Sequence, residues 1–194
     1  MTLAQLADSF TLISIETNKN LLIIGGIFLL VWGVFFISIF VKKILYFGII
    51  PRRIYGLPGI ILAPLLHANF DHLFFNSIPL LILSDFLLFN GYEFYCWVTG
   101  MITLISGFLI WCFAKPGIHL GASAVVTGYW GFLVCNAYQQ GTMVAIILGI
   151  ICLYYFSWVF LSIFQFKKGV SWEGHCFGLL AGLITNYLYS TLVV

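Results

Sequence analysis

The sequence predicts an all-α polytopic membrane protein, built as a single bundle of six transmembrane helices. Three observations lead to this prediction. Hydrophobic residues make up 62% of the 194 residues and charged residues only 7%, with a mean hydropathy of +1.11, so lipid must cover most of the surface. Apolar stretches of spanning length recur along the chain. Strongly polar side chains nevertheless begin three of these stretches, where they cost insertion free energy and need a structural or functional reason.

Six stretches are long and apolar enough to cross the hydrocarbon, which takes about 20 residues. The first runs from Leu21 to Val41 without a charge. The segment from Ile44 to Leu66 is also apolar, but prolines and arginines interrupt it, so it is expected to be a long loop in or on the membrane interface. The other five predicted spans are residues 73–89, 94–113, 122–138, 142–164 and 174–194, with turn signals between them.

The first 20 residues are expected to form a short amphipathic lead-in helix, and residues 21–194 a single membrane domain. Lys19 is the first basic residue, so the start of the chain lacks the positive region of a cleavable signal peptide. No internal repeat or linker divides the rest. The prediction is therefore one lead-in helix followed by one domain.

Composition also limits the classes of function. A net charge of +2 without a basic face excludes nucleic-acid binding. The five cysteines show no CxxC spacing and lie within or beside apolar runs, so they are expected to be reduced packing residues. No metal or cofactor site is predicted. A small transporter is disfavoured because the chain lacks inverted repeats and paired broken helices.

Basic residues give a prediction of membrane orientation. With six spans, both termini lie on one side, and the loops after the first, third and fifth spans lie on the other. Those loops hold seven of the eight basic residues, so the positive-inside rule places them in the cytoplasm. They are Lys42, Lys43, Arg52, Arg53, Lys115, Lys167 and Lys168.

Polar side chains open three of the predicted helices on the same membrane side. His72 and Asn76 are four residues apart on one helix face, Ser123 begins the fourth span, and His175 begins the sixth. Each has an ordinary explanation when taken singly: a helix cap, a small packing residue or an interfacial histidine. Their coincidence at one depth favours a shared site.

The chemistry that such a set can perform is acyl transfer. A serine hydroxyl is a weak nucleophile until an adjacent imidazole takes its proton, so Ser123 is the candidate nucleophile and His175 its general base. His72, Asn76 and the backbone N–H of Ser123 are candidate donors to the oxyanion of the tetrahedral intermediate.

Small residues predict close packing of the helices that carry Ser123 and His175. Gly121, Ala122, Ala124 and Gly128 lie along the fourth span, while Gly174, Gly178 and Gly182 repeat every four residues on the sixth. This pattern is typical of membrane helices whose backbones approach closely. A hydrogen bond between Ser123 and His175 requires such an approach.

From about Arg53 to the C-terminus, the chain resembles the rhomboid family of intramembrane proteases through three motifs in order. They are His67-x4-His72-x3-Asn76 within APLLHANFDHLFFN, Gly121-Ala122-Ser123-Ala124 within HLGASAVVTGYWG, and Gly174-His175-x2-Gly178-x3-Gly182 within SWEGHCFGLLAG.

The resemblance implies an intramembrane serine endopeptidase with a rhomboid-like six-helix core, a Ser123–His175 dyad and an oxyanion site made by His72, Asn76 and the Ser123 N–H. His67, Gly121, Ala124, Gly178 and Gly182 take supporting roles.

The resemblance further implies single-pass transmembrane proteins as substrates, no metal or cofactor, and a multi-pass location in the bacterial inner membrane. Residues 142–164 would act as a gate and residues 165–172 as a cap. In this family the site opens to the extracytoplasmic side, which conflicts with the positive-inside count.

Four positions depart from the family pattern, and two of them, Thr127 and the missing Trp-Arg pair, motivate a rival function. Ala124 replaces the usual glycine after the serine, and Thr127 replaces an aromatic residue. Pro58-Gly59 stands where a Trp-Arg pair is common, and Leu88 and Asn90 stand where a Glu-Arg pair is usual. The rival is a catalytically weak or inactive rhomboid-like protein that binds transmembrane helices. The oligomeric state and the physiological substrate are not predicted.

Three further polar residues near these motifs receive secondary interpretations. Asp85 lies more than three turns from His72 on the same helix and is expected to hydrogen-bond inside the bundle. Glu173 is expected to interact with the N-terminal dipole of the last helix. No role is assigned to His119.

Overall fold

A computed structural model describes residues 3–161 and 172–192, and this part of the chain is all helical. Eight α-helices lie within it, together with three short 3₁₀ turns and a single isolated β-bridge. The helices are α1 (Leu3–Phe40), α2 (Gly59–Leu62), α3 (Phe70–Leu88), α4 (Tyr92–Phe113), α5 (Ser123–Gln140), α6 (Met143–Tyr155), α7 (Ser157–Leu161) and α8 (Trp172–Leu192).

Helix α1 merges the predicted lead-in helix with the predicted first span. It contains 38 residues, about 57 Å at 1.5 Å per residue, whereas the hydrocarbon is about 30 Å thick. The helix is continuous, and no proline occurs before Pro51 to break it. Residue 20 therefore marks a change in composition and not a break in the backbone.

The proline-broken segment between α1 and α3 forms short turns instead of a spanning helix, as predicted. Its 3₁₀ turns are Lys42–Phe47, Ile54–Gly56 and Ala63–Leu65, and α2 lies between the last two. A β-bridge between Ile49 and His119 fixes the segment against the loop before α5, and the backbone N–H of Arg52 donates to the Trp111 carbonyl oxygen near the end of α4 at 2.9 Å. Gly59 lies directly on the backbone of Gly48, so a larger side chain does not fit at that position.

Helix α5 is the centre of the bundle, with α3, α4, α6 and α8 packed around it. Its middle is almost fully buried: Tyr129 and Phe132 have no exposed surface. Because α5 is enclosed, its sequence does not need the lipid-facing apolar surface of an outer helix. The core side chains of α5 are Val125, Val126, Tyr129, Trp130, Phe132 and Leu133.

Among the described residues, three helices are long and apolar enough to cross a membrane: Ala4–Phe40, Phe70–Leu88 and Tyr92–Phe113. The predicted fourth and sixth spans correspond to α5 and α8, which carry polar residues such as Asn136 and Asn186 on buried faces. The described chain is thus an all-helical bundle, while the count of six spans stays a prediction.

The predicted fifth span is interrupted. Helix α6 ends at Tyr155, the chain bends at Phe156, and α7 starts at Ser157. The end of this span and nearly all of the predicted cap, residues 162–171, lie outside the described residues, as do Lys167 and Lys168.

Candidate active site

Ser123 is the first residue of α5, as predicted, and a tight turn at Gly121 precedes it. Gly121 has a φ of +108°, a conformation that side chains other than glycine rarely adopt. A Cβ at this position would also lie 2.5 Å from Cε1 and 2.6 Å from Nε2 of His72. The imidazole of His72 therefore covers the turn that precedes Ser123.

His175 lies in the first turn of α8 and is 9% exposed. Its position relative to Ser123 follows from the contact between α5 and α8. A Cβ on Gly178 would overlap the carbonyl oxygen of Ala124, and a Cβ on Gly182 would overlap the carbonyl oxygen of Gly128.

The contact partners move from Ala124 to Gly128 on α5 and from Gly178 to Gly182 on α8, so the two helices run parallel. Ser123, just before Ala124, and His175, one turn before Gly178, therefore lie at the same end of this helix pair.

His72 and Asn76 lie in the first two turns of α3, and the structure places them at this same end of the bundle. The side chain of Asn69 accepts a hydrogen bond of 2.8 Å from the backbone N–H of His72 and caps the helix. Asn76 Nδ2 donates to the His72 carbonyl oxygen at 2.7 Å, which leaves a second N–H on the same amide. His72 also lies near His175.

The ring of His67 packs against the ring of His72. Its ring centroid is 5.2 Å from that of His72, with an angle of 65° between the planes. His67 is 1% exposed, and neither ring nitrogen has a well-aligned hydrogen-bond partner among the described residues, although the Leu65 carbonyl weakly favours the protonated ring. Burial, reinforced by the nearby His72, lowers the pKa of His67 to about 4, so this imidazole is neutral at pH 7.

A small cavity of about 30 Å³ lies beside Ser123, room for a water molecule. Its polar lining comes from Ser123, Thr103, Ser106 and His119. Sequence reasoning did not assign Thr103, Ser106 or His119 to the site, because the residues come from α4 and the loop before α5. The ring of His119 is held by a 3.0 Å hydrogen bond to the Lys115 carbonyl oxygen, and its backbone pairs with Ile49.

Asp85 lies away from the site, where it binds α1. It accepts hydrogen bonds from Thr17 Oγ1 at 2.7 Å and from Asn20 Nδ2 at 2.8 Å. Both Asp85 and Asn20 are buried. The prediction that Asp85 is hydrogen-bonded inside the bundle is confirmed, and its partners lie on the helix that the sequence divided at residue 20.

Glu173 lies in the first turn of α8, where its charge favours the positive end of the helix dipole, as predicted. It also faces Lys115, whose Nζ lies 3.8 Å from Oε1 of Glu173 and 5.7 Å from the ring centroid of Trp172. Lys115 thus joins the loop before α5 to the start of α8, a contact that sequence spacing could not indicate.

The described residues contain no group of three or more His, Cys, Asp or Glu side chains that could hold a metal ion. Within this part of the chain all five cysteines are free thiols, and Cys152 is fully buried. The side chains gathered around Ser123 carry hydroxyl and imidazole groups.

Comparisons with known proteins agree with the motifs. Residues 52–192 match the model of the Rhomboid domain. Uncharacterized proteins of Mycobacterium tuberculosis and Mycobacterium bovis are each 34% identical over 152 residues, which cover 74% of this chain and 63% of each relative. An uncharacterized protein of Mycobacterium leprae is 33% identical over 143 residues, covering 68% of this chain and 56% of the relative.

The chain therefore spans less than two thirds of the length of these curated relatives. No solved structure matches the chain significantly. The domain match and the three apolar helices together indicate a multi-pass membrane protein with a helical bundle.

Proposed function

This chain belongs to the rhomboid family, and on that premise we propose that it is an intramembrane serine protease with Ser123 as nucleophile and His175 as general base. It would hydrolyse peptide bonds in or near the transmembrane segments of single-pass membrane proteins. The observation that carries the proposal is the close contact of α5 with α8, in which Gly178 lies on Ala124 and Gly182 on Gly128. This register supports a meeting of the two side chains at the start of both helices.

The reaction would proceed through an acyl-enzyme. The Ser123 oxygen attacks the carbonyl carbon of the scissile bond while a ring nitrogen of His175 takes the hydroxyl proton. The tetrahedral intermediate then collapses, the C–N bond breaks, and the amine leaves with the proton that His175 returns. A water molecule next attacks the ester, giving a proton to His175, and the acid product departs as Ser123 regains its hydrogen.

We propose His72, Asn76 and the backbone N–H of Ser123 as donors to the oxyanion. The packing of the His72 ring on Gly121 supports this role, because it holds the imidazole two residues from the nucleophile. The unused N–H of Asn76 adds a second side-chain donor. Each well-placed donor in a water-poor site contributes about 3 to 4 kcal/mol to transition-state stabilisation.

An apolar groove between α3 and α6–α7 is the proposed entry route for the substrate. Its volume is about 610 Å³. The bend at Phe156 divides the wall opposite α3, which supports a gate role for this part of the chain. A transmembrane segment with small or helix-breaking residues could unwind there and reach Ser123. The groove is lined by Phe75, Ile78, Ile82, Ile151, Tyr155, Phe156 and Trp158.

Thr127 favours the rival function, a rhomboid-like protein that binds transmembrane helices without cutting them. Its hydroxyl donates back to the carbonyl oxygens of Ser123 at 2.8 Å and Ala124 at 3.1 Å. A Cβ on Gly178 would overlap this hydroxyl, so Thr127 fills the helix contact where an aromatic residue could stack on His175. The same apolar groove would then serve for binding alone.

Activity of the full chain reconstituted in liposomes tests the protease proposal. We expect cleavage of a model single-pass substrate and labelling of Ser123 by a fluorophosphonate. Ser123→Ala and His175→Ala should each reduce cleavage by at least about 10³-fold. Ser190→Ala is the matched control, since Ser190 is exposed on α8 and, among the described residues, its hydroxyl bonds the Tyr187 carbonyl oxygen alone.

Equal cleavage by Ser123→Ala and the unmodified chain would refute the proposed nucleophile. Retained binding of a transmembrane peptide with neither labelling nor turnover would establish the rival function instead.

We propose the bacterial plasma membrane as the location, a proposal supported by the mycobacterial relatives. Two of the basic residues that led to the cytoplasmic prediction have partners within the bundle. Arg52 Nη1 binds the carbonyl oxygens of Cys112 at 3.2 Å and Ala114 at 2.9 Å, and Lys115 faces Glu173. Arg52 and Lys115 are therefore basic because of their partners, whichever side of the membrane they face. Removing them from the positive-inside count weakens the argument for a cytoplasmic site and so supports an extracytoplasmic one. A reporter fused after Lys168 would report the side.

A further inference from the structure

A cavity lies at the end of the bundle opposite Ser123, between α1 and the ends of α3, α5 and α6. Its volume of about 320 Å³ falls within the range of small-ligand pockets, roughly 300 to 1,000 Å³. Four helices contribute apolar side chains to its walls, so an apolar group can enter it. These side chains include Leu12, Ile13, Phe86, Leu133 and Leu148.

Asn136 is the polar residue that indicates a ligand. It is 5% exposed, lines this cavity, and has no side-chain hydrogen bond to any described residue. An amide that lines a cavity can bond a group inside that cavity, and nearly all such groups in folded proteins are satisfied by protein or water. The cavity therefore offers an unsatisfied donor and acceptor to a polar group that enters it.

One wall of the cavity favours a cation that carries N–H donors. Glu16 contributes a half-buried carboxylate, of which Oε1 binds Lys19 Nζ at 2.6 Å. The C-terminal ends of α3 and α5 also face this space, and helix C-termini carry partial negative charge. Asn90 and Gln140 mark these two ends and bind each other at 3.2 Å.

Another wall favours an anion, because helix α6 begins there. Thr142 caps this helix through a 3.2 Å hydrogen bond from the Ala145 N–H. The N–H of Val144, which lines the cavity, lies in the first turn and has no partner within the helix. Helix N-termini bind phosphate groups through such N–H groups and the helix dipole.

We propose that this cavity binds the phosphoethanolamine headgroup of an aminophospholipid. The ammonium group would lie toward Glu16 and the amide oxygen of Asn136, and the phosphate toward the start of α6. The apolar walls would contact the first carbons of the acyl chains. Phospholipid headgroups lie at the ends of membrane-crossing helices, so this ligand is present where the cavity opens. The site is independent of the proposed protease activity.

Lipid binding to the delipidated full chain in detergent tests the proposal. Dihexanoyl phosphatidylethanolamine should bind at least about tenfold more tightly than the phosphatidylcholine analogue, whose quaternary ammonium has no N–H to donate. Asn136→Leu and Glu16→Gln should each weaken binding about tenfold. Gln139→Leu on α5 and Asp8→Asn on α1 are matched controls, since both residues are exposed and outside the cavity.

Equal binding of the two lipids, or unchanged binding by both cavity variants, would overturn the proposal. The phosphoethanolamine group could come from a phospholipid or from free O-phosphoethanolamine, and a binding measurement with the free compound distinguishes the two. The free compound should bind far more weakly than the lipid. If it binds equally well, the apolar walls contribute nothing and the lipid assignment is wrong. Glu16→Gln keeps the test valid if Asn136→Leu does not fold, because Glu16 is partly exposed on α1.

Discussion

A methyl group added at Gly182 tests the contact between α5 and α8 on which the proposed active site depends. A Cβ at this position would lie 2.9 Å from the carbonyl carbon and 3.0 Å from the Cα of Gly128, and it would overlap the carbonyl oxygen. Ordinary van der Waals contact begins at 3.4 Å, so the two backbones must separate by half an ångström or more. Backbone atoms cannot rotate away as a flexible side chain can.

Overpacking of this kind costs about 1 to 3 kcal/mol of folding free energy, against a gain of up to about 1 kcal/mol from the higher helix propensity of alanine. His175 lies two turns from Gly182, so the same displacement would also move the proposed base. A misplacement of about 1 Å can reduce catalysis about 10²-fold. We therefore expect Gly182→Ala to lose both stability and activity.

The assays are reversible unfolding in mild detergent and cleavage of a transmembrane substrate in liposomes. Gly100→Ala is the matched control: Gly100 is also helical, yet nothing lies within 4 Å of its added Cβ. This control should be as stable as the unmodified chain or slightly more stable. If Gly182→Ala behaves like Gly100→Ala in both assays, α5 and α8 do not pack as described and the reasoning fails.

Three further predictions concern the parts that surround the site. Asp85→Ala should destabilise the bundle by about 2 to 4 kcal/mol, because it leaves the buried amide of Asn20 unpaired; the unfolding free energy in detergent checks this, and an unchanged value would contradict it. Arg52→Ala should increase hydrogen exchange at the end of α4, because the guanidinium no longer binds the Ala114 carbonyl oxygen; equal exchange would show that the contact is unimportant. His67 takes up a proton more readily in the unfolded chain, since its folded pKa is about 4 against an ordinary 6.5. Stability should therefore fall by up to about 3 kcal/mol as the pH drops from about 6.5 to about 4, with no further loss from this group below that. The same titration of His67→Gln should be flatter, and an identical pH profile would refute the assignment.

Much of the fold could be predicted because it depends on local sequence. The apolar runs placed α3, α4 and α5 within a few residues of their observed bounds, and the prolines correctly excluded a spanning helix between Ile44 and Leu66. The fifth span was less well predicted, because the bend at Phe156 has no proline or glycine to signal it. The position of this bend is set by packing rather than by local helix propensity.

The candidate site was predicted through its motifs, but several of its surroundings were not. His119 and Ser106 line the cavity beside Ser123, yet neither belongs to a recognisable spacing. Lys115 and Glu173 are 58 positions apart and meet only because α8 returns to the loop before α5. Such contacts depend on how distant helices pack, and hydropathy carries no information about them.

The sequence alone determined that this chain enters a membrane and that Ser123, His175, His72 and Asn76 lie at one end of its helices. Burial of apolar surface and helical periodicity are properties of neighbouring residues, so a single chain reports them directly. Only the tertiary structure decided the register of Gly178 on Ala124, the continuity of α1, and the partners of Asp85 on that helix. These features depend on which surfaces fit together within about one ångström, since steric overlap and hydrogen bonds act over short distances between residues far apart in sequence.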